Sequence, residues 1–229
     1  MQFRTLAALG CAALAAAAPA AAQNSFGHAQ SPVDIAAPVA RTGLPPLGAH
    51  YPAVAGVAVN NGHTVQVQVA DGDTLNVDGG RFALLQFHFH WPSEHLLRGD
   101  SFPAEVHMVH RDAQGHLAVL GTFIRLAEND NPEWASFFAA LPAEGDSVRM
   151  NTVDVARLFA ITDLPAERVY RYQGSLTTPP YTEGVHWLVR DRTVEMSRGQ
   201  LERLRAVMHH RYSREVQALE GREITVSGS

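Results

Sequence analysis

The chain has 229 residues, 46% hydrophobic and 18% charged, with a formal net charge of −5 when His is counted neutral. That balance supports a sizeable core and excludes the dense basic surface that nucleic-acid binding requires. Every Lys-or-Arg position is Arg, and the one cysteine is Cys11.

In chain order, residues 1–22 read as a secretory signal peptide. Arg4 supplies the positive start, and Leu6 to Ala18 is an apolar run too short to span a bilayer. Ala20-Ala21-Ala22 is a small-residue cleavage site ahead of Gln23. The expected location is periplasmic or secreted, with no membrane segment left after cleavage. Cys11 lies inside the leader, so the mature chain is expected to lack disulfides and to hold any metal through His and carboxylates. Residues 23–229 contain no low-complexity linker or internal repeat and are expected to form one domain.

Pro45-Pro46 marks an early loop. Val65 to Val69 alternates with period two and predicts a half-buried strand, ended by the turn signal Asp71-Gly72-Asp73. Leu84 to Trp91, Glu105 to His110 and Leu117 to Leu126 are further strand candidates. Asn131-Pro132-Glu133 starts a short helix, with Asn as N-cap and Pro at the first helical position. Ser197-x-x-Gln200 is a capping box, followed by Leu201, Leu204, Val207 and Met208 on one helical face. Strands dominate. The expected fold is mainly β (α+β), a large, mostly antiparallel twisted sheet with a few short peripheral helices.

The chemistry concentrates in QFHFHWPSEH, residues 86–95. Side chains at i and i+2 of a strand share a face, so Gln86, His88 and His90 point one way and Phe87, Phe89 and Trp91 the other, into a core. Two imidazoles about 7 Å apart along a strand can converge on one ion. Zinc needs a third protein ligand, and His107 is the best candidate, on a strand reached through Pro92, Gly99, Asp100 and Pro103. A bound imidazole donates its other N–H to an acceptor. Gln86 sits two before His88 and Glu105 two before His107, each placed to be that acceptor. Three histidines with an open fourth position suit a catalytic Zn2+.

These residues resemble the α-class carbonic anhydrases. QFHFHW at 86–91 resembles the strand with the first two zinc ligands, SEH at 93–95 the gate glutamate and its neighbours, and AEVHMVH at 104–110 the third-ligand strand. GSLTTPP at 174–180 resembles the active-site loop, followed by Glu183 and Trp187. NNGH at 60–63 resembles the proton-shuttle segment and SPVDI at 31–35 the early signature. The resemblance runs from residue 31 to about 222.

It implies zinc on His88, His90 and His107, and zinc-hydroxide attack on carbon dioxide to give bicarbonate and a proton. Thr177 would pass a hydrogen bond to Glu94 and hold a substrate oxygen on its backbone N–H, with Thr178 on the bicarbonate side. Val109, Val119, Leu176, Val185 and Trp187 would form the apolar carbon dioxide pocket, and His63 would shuttle the proton through water. An esterase side activity is also implied. His95 is expected to support the site structurally. His110 lies off the face of His107, and His28, His50, His116, His186, His209 and His210 are expected to be structural or surface residues.

Two features depart from the family. Only Gln23 to Gln30 separate the expected cleavage site from SPVDI, where the family carries an aromatic-rich segment. The gap would expose an apolar patch that a homodimer could cover. Tyr181 stands where secreted members often place a disulfide cysteine. Two other readings stay open. HFHWPSE fits the cupin motif HxHx3E, with Glu94 itself a ligand, although Pro103-Ala104-Glu105 lacks the glycine of the second cupin motif. A non-catalytic carbonic-anhydrase-like binding module is the other, although such modules typically lose a zinc histidine.

Overall fold

The computed structural model describes residues 27–208 and 211–227. The expected signal peptide, with Cys11, and the pair His209-His210 lie outside the described residues. The strands are β1 (Asp34–Ile35), β2 (Val39–Arg41), β3 (Gly48–His50), β4 (Val54–Asn60), β5 (Val65–Val69), β6 (Thr74–Val77), β7 (Gly80–His90), β8 (Leu96–Leu97), β9 (Ala104–Arg111), β10 (Leu117–Ala127), β11 (Ser147–Val153), β12 (Val169–Ser175), β13 (Glu183–Arg190), β14 (Val194–Ser197) and β15 (Thr225–Ser227). The helices are α1 (Ala135–Ala139), α2 (Val155–Leu158) and α3 (Arg198–Met208).

One large sheet runs β11-β4-β5-β7-β9-β10-β13-β12-β15-β2, with β14 beside β10, β6 beside β7 and β3 beside β6. Most neighbours are antiparallel. β10 pairs parallel with β13 along its first half and with β14 along its second, and β15 pairs parallel with β2. β1 and β8 form a separate parallel pair. Among the described residues the sheet is therefore open at both ends, which removes the closed barrel that the cupin reading requires.

Each central strand sends alternate residues to two cores. Ala104, Val106 and Met108 of β9, with Ala118, Leu120 and Ile124 of β10, enter the larger core under the helices. Val109 of β9, with Val119 and Phe123 of β10, enters a smaller cluster on the opposite face. β7 departs from simple alternation. Phe82 and Leu84 face the larger core, and so do Phe87 and Phe89. The parity changes because one residue, Leu85, is extra between the pairs Leu84↔His110 and Gln86↔Val109. This β-bulge re-aims the rest of the strand. Without it, His88 and His90 would point with Phe82 and Leu84 into the apolar core.

Behind the histidines lies an aromatic layer. Phe87 meets Phe159 edge-on at 5.1 Å, and Phe89 packs 5.2 Å from Phe137 and 5.8 Å from Trp134. Each such buried side chain contributes about 1.5–3 kcal/mol. Trp91 continues the layer half-buried, with the Arg205 guanidinium 5.0 Å from its ring centroid. The Asn131 side chain caps the turn Pro132–Trp134 by accepting the Glu133 N–H at 3.1 Å. At α3 the capping box closes both ways: Gln200 N–H donates to Ser197 Oγ at 3.0 Å and Ser197 N–H to Gln200 Oε1 at 3.1 Å. Leu201, Leu204 and Met208 are buried, with Val207 packed at their margin.

Candidate active site

β7 and β9 bring three imidazoles together. His88 stands directly opposite His107 in the antiparallel register, and His90 opposite Glu105. Ring centroids are 4.9 Å apart for His88 and His90, 5.5 Å for His88 and His107, and 4.4 Å for His90 and His107. One ligand atom from each ring lies within 4.8 Å of the others.

The outward nitrogens are engaged. His88 Nδ1 donates to Gln86 Oε1 at 2.9 Å, His90 Nδ1 to the Tyr212 carbonyl at 2.9 Å, and His107 Nε2 to Glu105 Oε1 at 3.0 Å. All three acceptors demand a proton on that nitrogen, so the tautomers are set. Nε2 of His88 and His90 and Nδ1 of His107 are left with lone pairs. His90 Nε2 is buried without a hydrogen-bond partner, an arrangement that costs free energy unless an ion fills it. Burial also keeps the rings neutral, as ligation requires. It pushes His90 down to about 4, holds His88 well below the usual range with help from His90 and His107, and lowers His107 against the opposing pull of Glu105. A set of three neutral nitrogens fits zinc with an open fourth position.

Glu105 is the hub behind the cluster. It is fully buried, and its Oε2 accepts the backbone N–H of Glu94 and of His95, both at 2.9 Å. Its Oε1 accepts His95 Nδ1 at 2.8 Å as well as His107 Nε2. Burial opposes its charge, but His95 and His107 outweigh that and hold the carboxyl well below the carboxylate range. Gly121 of β10 pairs with His107, and a Cβ there would stand 3.1 Å from Glu105 Oε1. Glycine leaves that carboxylate its room. His95, Glu105 and His107 also satisfy a metal-ligand spacing, but the Glu105 oxygen there already bonds both rings. His95 has no nitrogen to spare: its Nε2 lies 2.6 Å from the Tyr172 hydroxyl, itself 2.9 Å from Ser31 Oγ.

Glu94 is buried, and its Oε1 accepts the Arg214 backbone N–H at 2.7 Å. Burial raises its pKa, while the neighbouring His107 and Thr177 side chains pull it back, and its Oε2 is buried without a hydrogen-bond partner. Thr177 is buried and Thr178 half-buried. Val109, Val119, Val185 and Trp187 join the smaller core, with Leu176 packed at its edge. Val109, Val119 and Trp187 stand abreast on β9, β10 and β13. The Trp187 and His107 ring centroids are 4.8 Å apart, so an apolar wall begins at the histidine cluster.

His63 is exposed between β4 and β5. Asn61 Oδ1 accepts its N–H at 3.0 Å and that of Thr64 at 2.9 Å. His110 points to the other face and pairs with the Tyr51 hydroxyl at 2.9 Å. His28, His50 and His116 are exposed and His186 is half-buried. Sequence reasoning missed Tyr212, Arg214, Tyr172 and Ser31. Tyr212 and Arg214 act here through main-chain atoms, which leave no side-chain signature.

The model of the eukaryotic-type carbonic anhydrase family matches residues 17–228. A carbonic anhydrase of Pectobacterium atrosepticum is 44% identical over 168 residues, covering 72% of this chain and 67% of that protein. Among solved structures, Photobacterium profundum alpha-carbonic anhydrase is similar with a TM-score of 0.81 and 38% identity, over 88% of this chain and 90% of that one. The alpha-carbonic anhydrase from Thermovibrio ammonificans, solved with the inhibitor sulfanilamide, is similar with a TM-score of 0.79 and 42% identity, over 87% of each chain. With sequence match and sheet in agreement over most of its length, the chain belongs to the α-class, or eukaryotic-type, carbonic anhydrase family.

Proposed function

We propose that the protein catalyses the reversible hydration of carbon dioxide to bicarbonate and a proton, with zinc held by His88, His90 and His107 and the proton relayed by His63. The observation that carries this reading is the convergence of three neutral ring nitrogens, one of them buried and unpartnered, at the foot of an apolar wall. When bound, zinc is a Lewis acid that makes hydroxide available near neutral pH, an effect for which carbonic anhydrase is the type case.

The chain's own residues do the rest. Gln86, Glu105 and the Tyr212 carbonyl hold the rings in the ligating tautomer. Glu94, whose Oε2 is a buried acceptor without a hydrogen-bond partner, accepts a hydrogen bond from the Thr177 hydroxyl in this reading. The Thr177 oxygen then presents a lone pair to the site and selects for a species that can donate to it. The Thr177 backbone N–H holds a substrate oxygen, and Thr178 lines the side where bicarbonate forms. Val109, Val119, Leu176, Val185 and Trp187 hold the apolar carbon dioxide without competing polar contacts. His63, at the exposed end of the β4–β5 loop, takes up the released proton through bridging water. Sulfonamides and anions are expected to inhibit at the open position, and activated esters to be slow substrates.

The same proposal covers cleavage before Gln23, export to the periplasm or beyond, a catalytic domain of residues 23–229, and a homodimer. N-terminal sequencing of the exported product and sedimentation over a wide concentration range test them. Among the described residues, no helix is long and apolar enough to cross a membrane.

Stopped-flow carbon dioxide hydration decides the catalytic reading. Zinc-loaded wild type should turn over, His107→Ala should lose zinc and activity, and His63→Ala should lose turnover only in weak buffer. An inactive, fully zinc-loaded wild type would overturn the enzyme reading in favour of a binding module. Loss of zinc in Glu94→Ala would make that carboxylate a ligand.

A further inference from the structure

The side chain of Tyr212 has no part in the chemistry above, yet it touches two of its members. Tyr212 follows α3 in backbone that forms an antiparallel bridge to Trp91, which brings its carbonyl to His90. Its ring lies almost parallel to His90, 5.2 Å between centroids and 9° between planes. The same ring stacks on His63, at 5.5 Å and 23°. One half-buried aromatic ring thus contacts both a buried imidazole of the metal cluster and an exposed imidazole of the β4–β5 loop.

The main chain around His63 is already fixed. Asn61 Oδ1 gathers two N–H groups of the loop, and Thr64 Oγ1 donates to the Phe89 carbonyl at 2.7 Å. That clamps the loop to β7 beside the metal ligands. The direction of the His63 ring is set by rotation among staggered side-chain rotamers. A stacking partner selects among them. The strength of an aromatic pair corresponds to a population bias of about twofold to tenfold.

We infer that Tyr212 is a positioning residue for proton transfer, its ring holding the His63 imidazole stacked on the same ring that packs against His90. The inference rests on the reading of His63 as the shuttle and names what keeps the shuttle in place. The requirement is for a flat ring, not for the hydroxyl. Tyr212→Phe should therefore behave as wild type, and Tyr212→Leu should not. The main-chain bond to His90 survives in both variants.

The test compares zinc-loaded wild type, Tyr212→Phe, Tyr212→Leu and His63→Ala. Carbon dioxide hydration is measured in weak buffer and in concentrated imidazole, and the His63 ring-proton signals are followed by NMR with and without zinc. The expected result for Tyr212→Leu is a fall in kcat of about twofold to tenfold in weak buffer. The loss should fall on kcat rather than on kcat/KM and should be restored by imidazole. The His63 signals should lose the ring-current shift that wild type and Tyr212→Phe share. If His63→Ala is impaired while Tyr212→Leu keeps both its kcat and the His63 shift, the inference is overturned and the shuttle reading stands. If Tyr212→Leu instead lowers kcat/KM and zinc affinity together, the ring merely braces His90 and the inference is again overturned. Undiminished turnover of His63→Ala in weak buffer removes the shuttle itself, and the inference with it.

Discussion

Glu105→Gln is the most informative single change, because it preserves shape and reverses one pair of hydrogen-bond roles. The wild-type carboxylate accepts four N–H groups, two at each oxygen. A primary amide has one oxygen. If that oxygen replaces Oε1, the NH2 group confronts the backbone N–H groups of Glu94 and His95. Two buried donors are then unsatisfied, at about 1–3 kcal/mol each, so the metal-free fold loses about 2–6 kcal/mol. If the oxygen replaces Oε2, the NH2 group faces His107 Nε2, which must now accept. The ring proton moves to Nδ1, the nitrogen turned toward the metal, and zinc affinity falls about 10- to 100-fold. Urea unfolding in the presence of a chelator measures the first outcome, and competition against a chromophoric zinc chelator the second. A variant that keeps wild-type unfolding to within about 0.5 kcal/mol and keeps its zinc affinity would refute the hub role of Glu105.

Three further outcomes are expected. Both carboxylate oxygens of Asp73 are buried without a hydrogen-bond partner, and burial, then Asp154, pushes its pKa from 3.8 up to about 7. The folded state therefore binds the proton more tightly than the unfolded chain, so this group costs stability as pH rises from about 4 through 7. Asp73→Asn should match wild type near pH 4 and gain up to about 4 kcal/mol above pH 7, read by urea unfolding at several pH values. Ser197→Ala removes one side of the capping box at α3 and should cost about 1 kcal/mol, a fall of about 2–4 °C in Tm by calorimetry. Val119→Phe thickens the apolar wall between Val109 and Trp187. It should lower kcat/KM by roughly tenfold or more, about 1.4 kcal/mol in the transition state, while zinc content by atomic absorption stays at the wild-type level.

The local code of the site was legible in the sequence because period two is a strong signal. Val65 to Val69 is a strand with those bounds, β7 starts four residues before the expected Leu84 and ends at His90, one short of the expected Trp91, and β9 adds one residue at each end. Gln86 and Glu105 were found from the same spacing as the histidines they orient. The bulge at Leu85 was not. Its neighbours Leu84 and Leu85 are both apolar, so nothing in their chemistry marks where parity changes, and only the pairing with β9 reveals it. The parallel joins of β10 with β13 and β14 were equally hidden, since they depend on contacts distant in sequence. The Tyr212 carbonyl and the Arg214 N–H escaped for a simpler reason: every residue but proline carries both groups.

Those two main-chain bonds reach back 122 and 120 residues along the chain, to His90 and Glu94. A ribosome therefore finishes all three histidines long before it makes the atoms that orient one of them. A nascent chain, or one cut after α3, holds all three proposed ligands but lacks the acceptor that fixes His90 and the donor that holds Glu94. Proteolysis in that segment would disarm the protein without removing a single ligand. Zinc content alone would then overstate the fraction of molecules able to work.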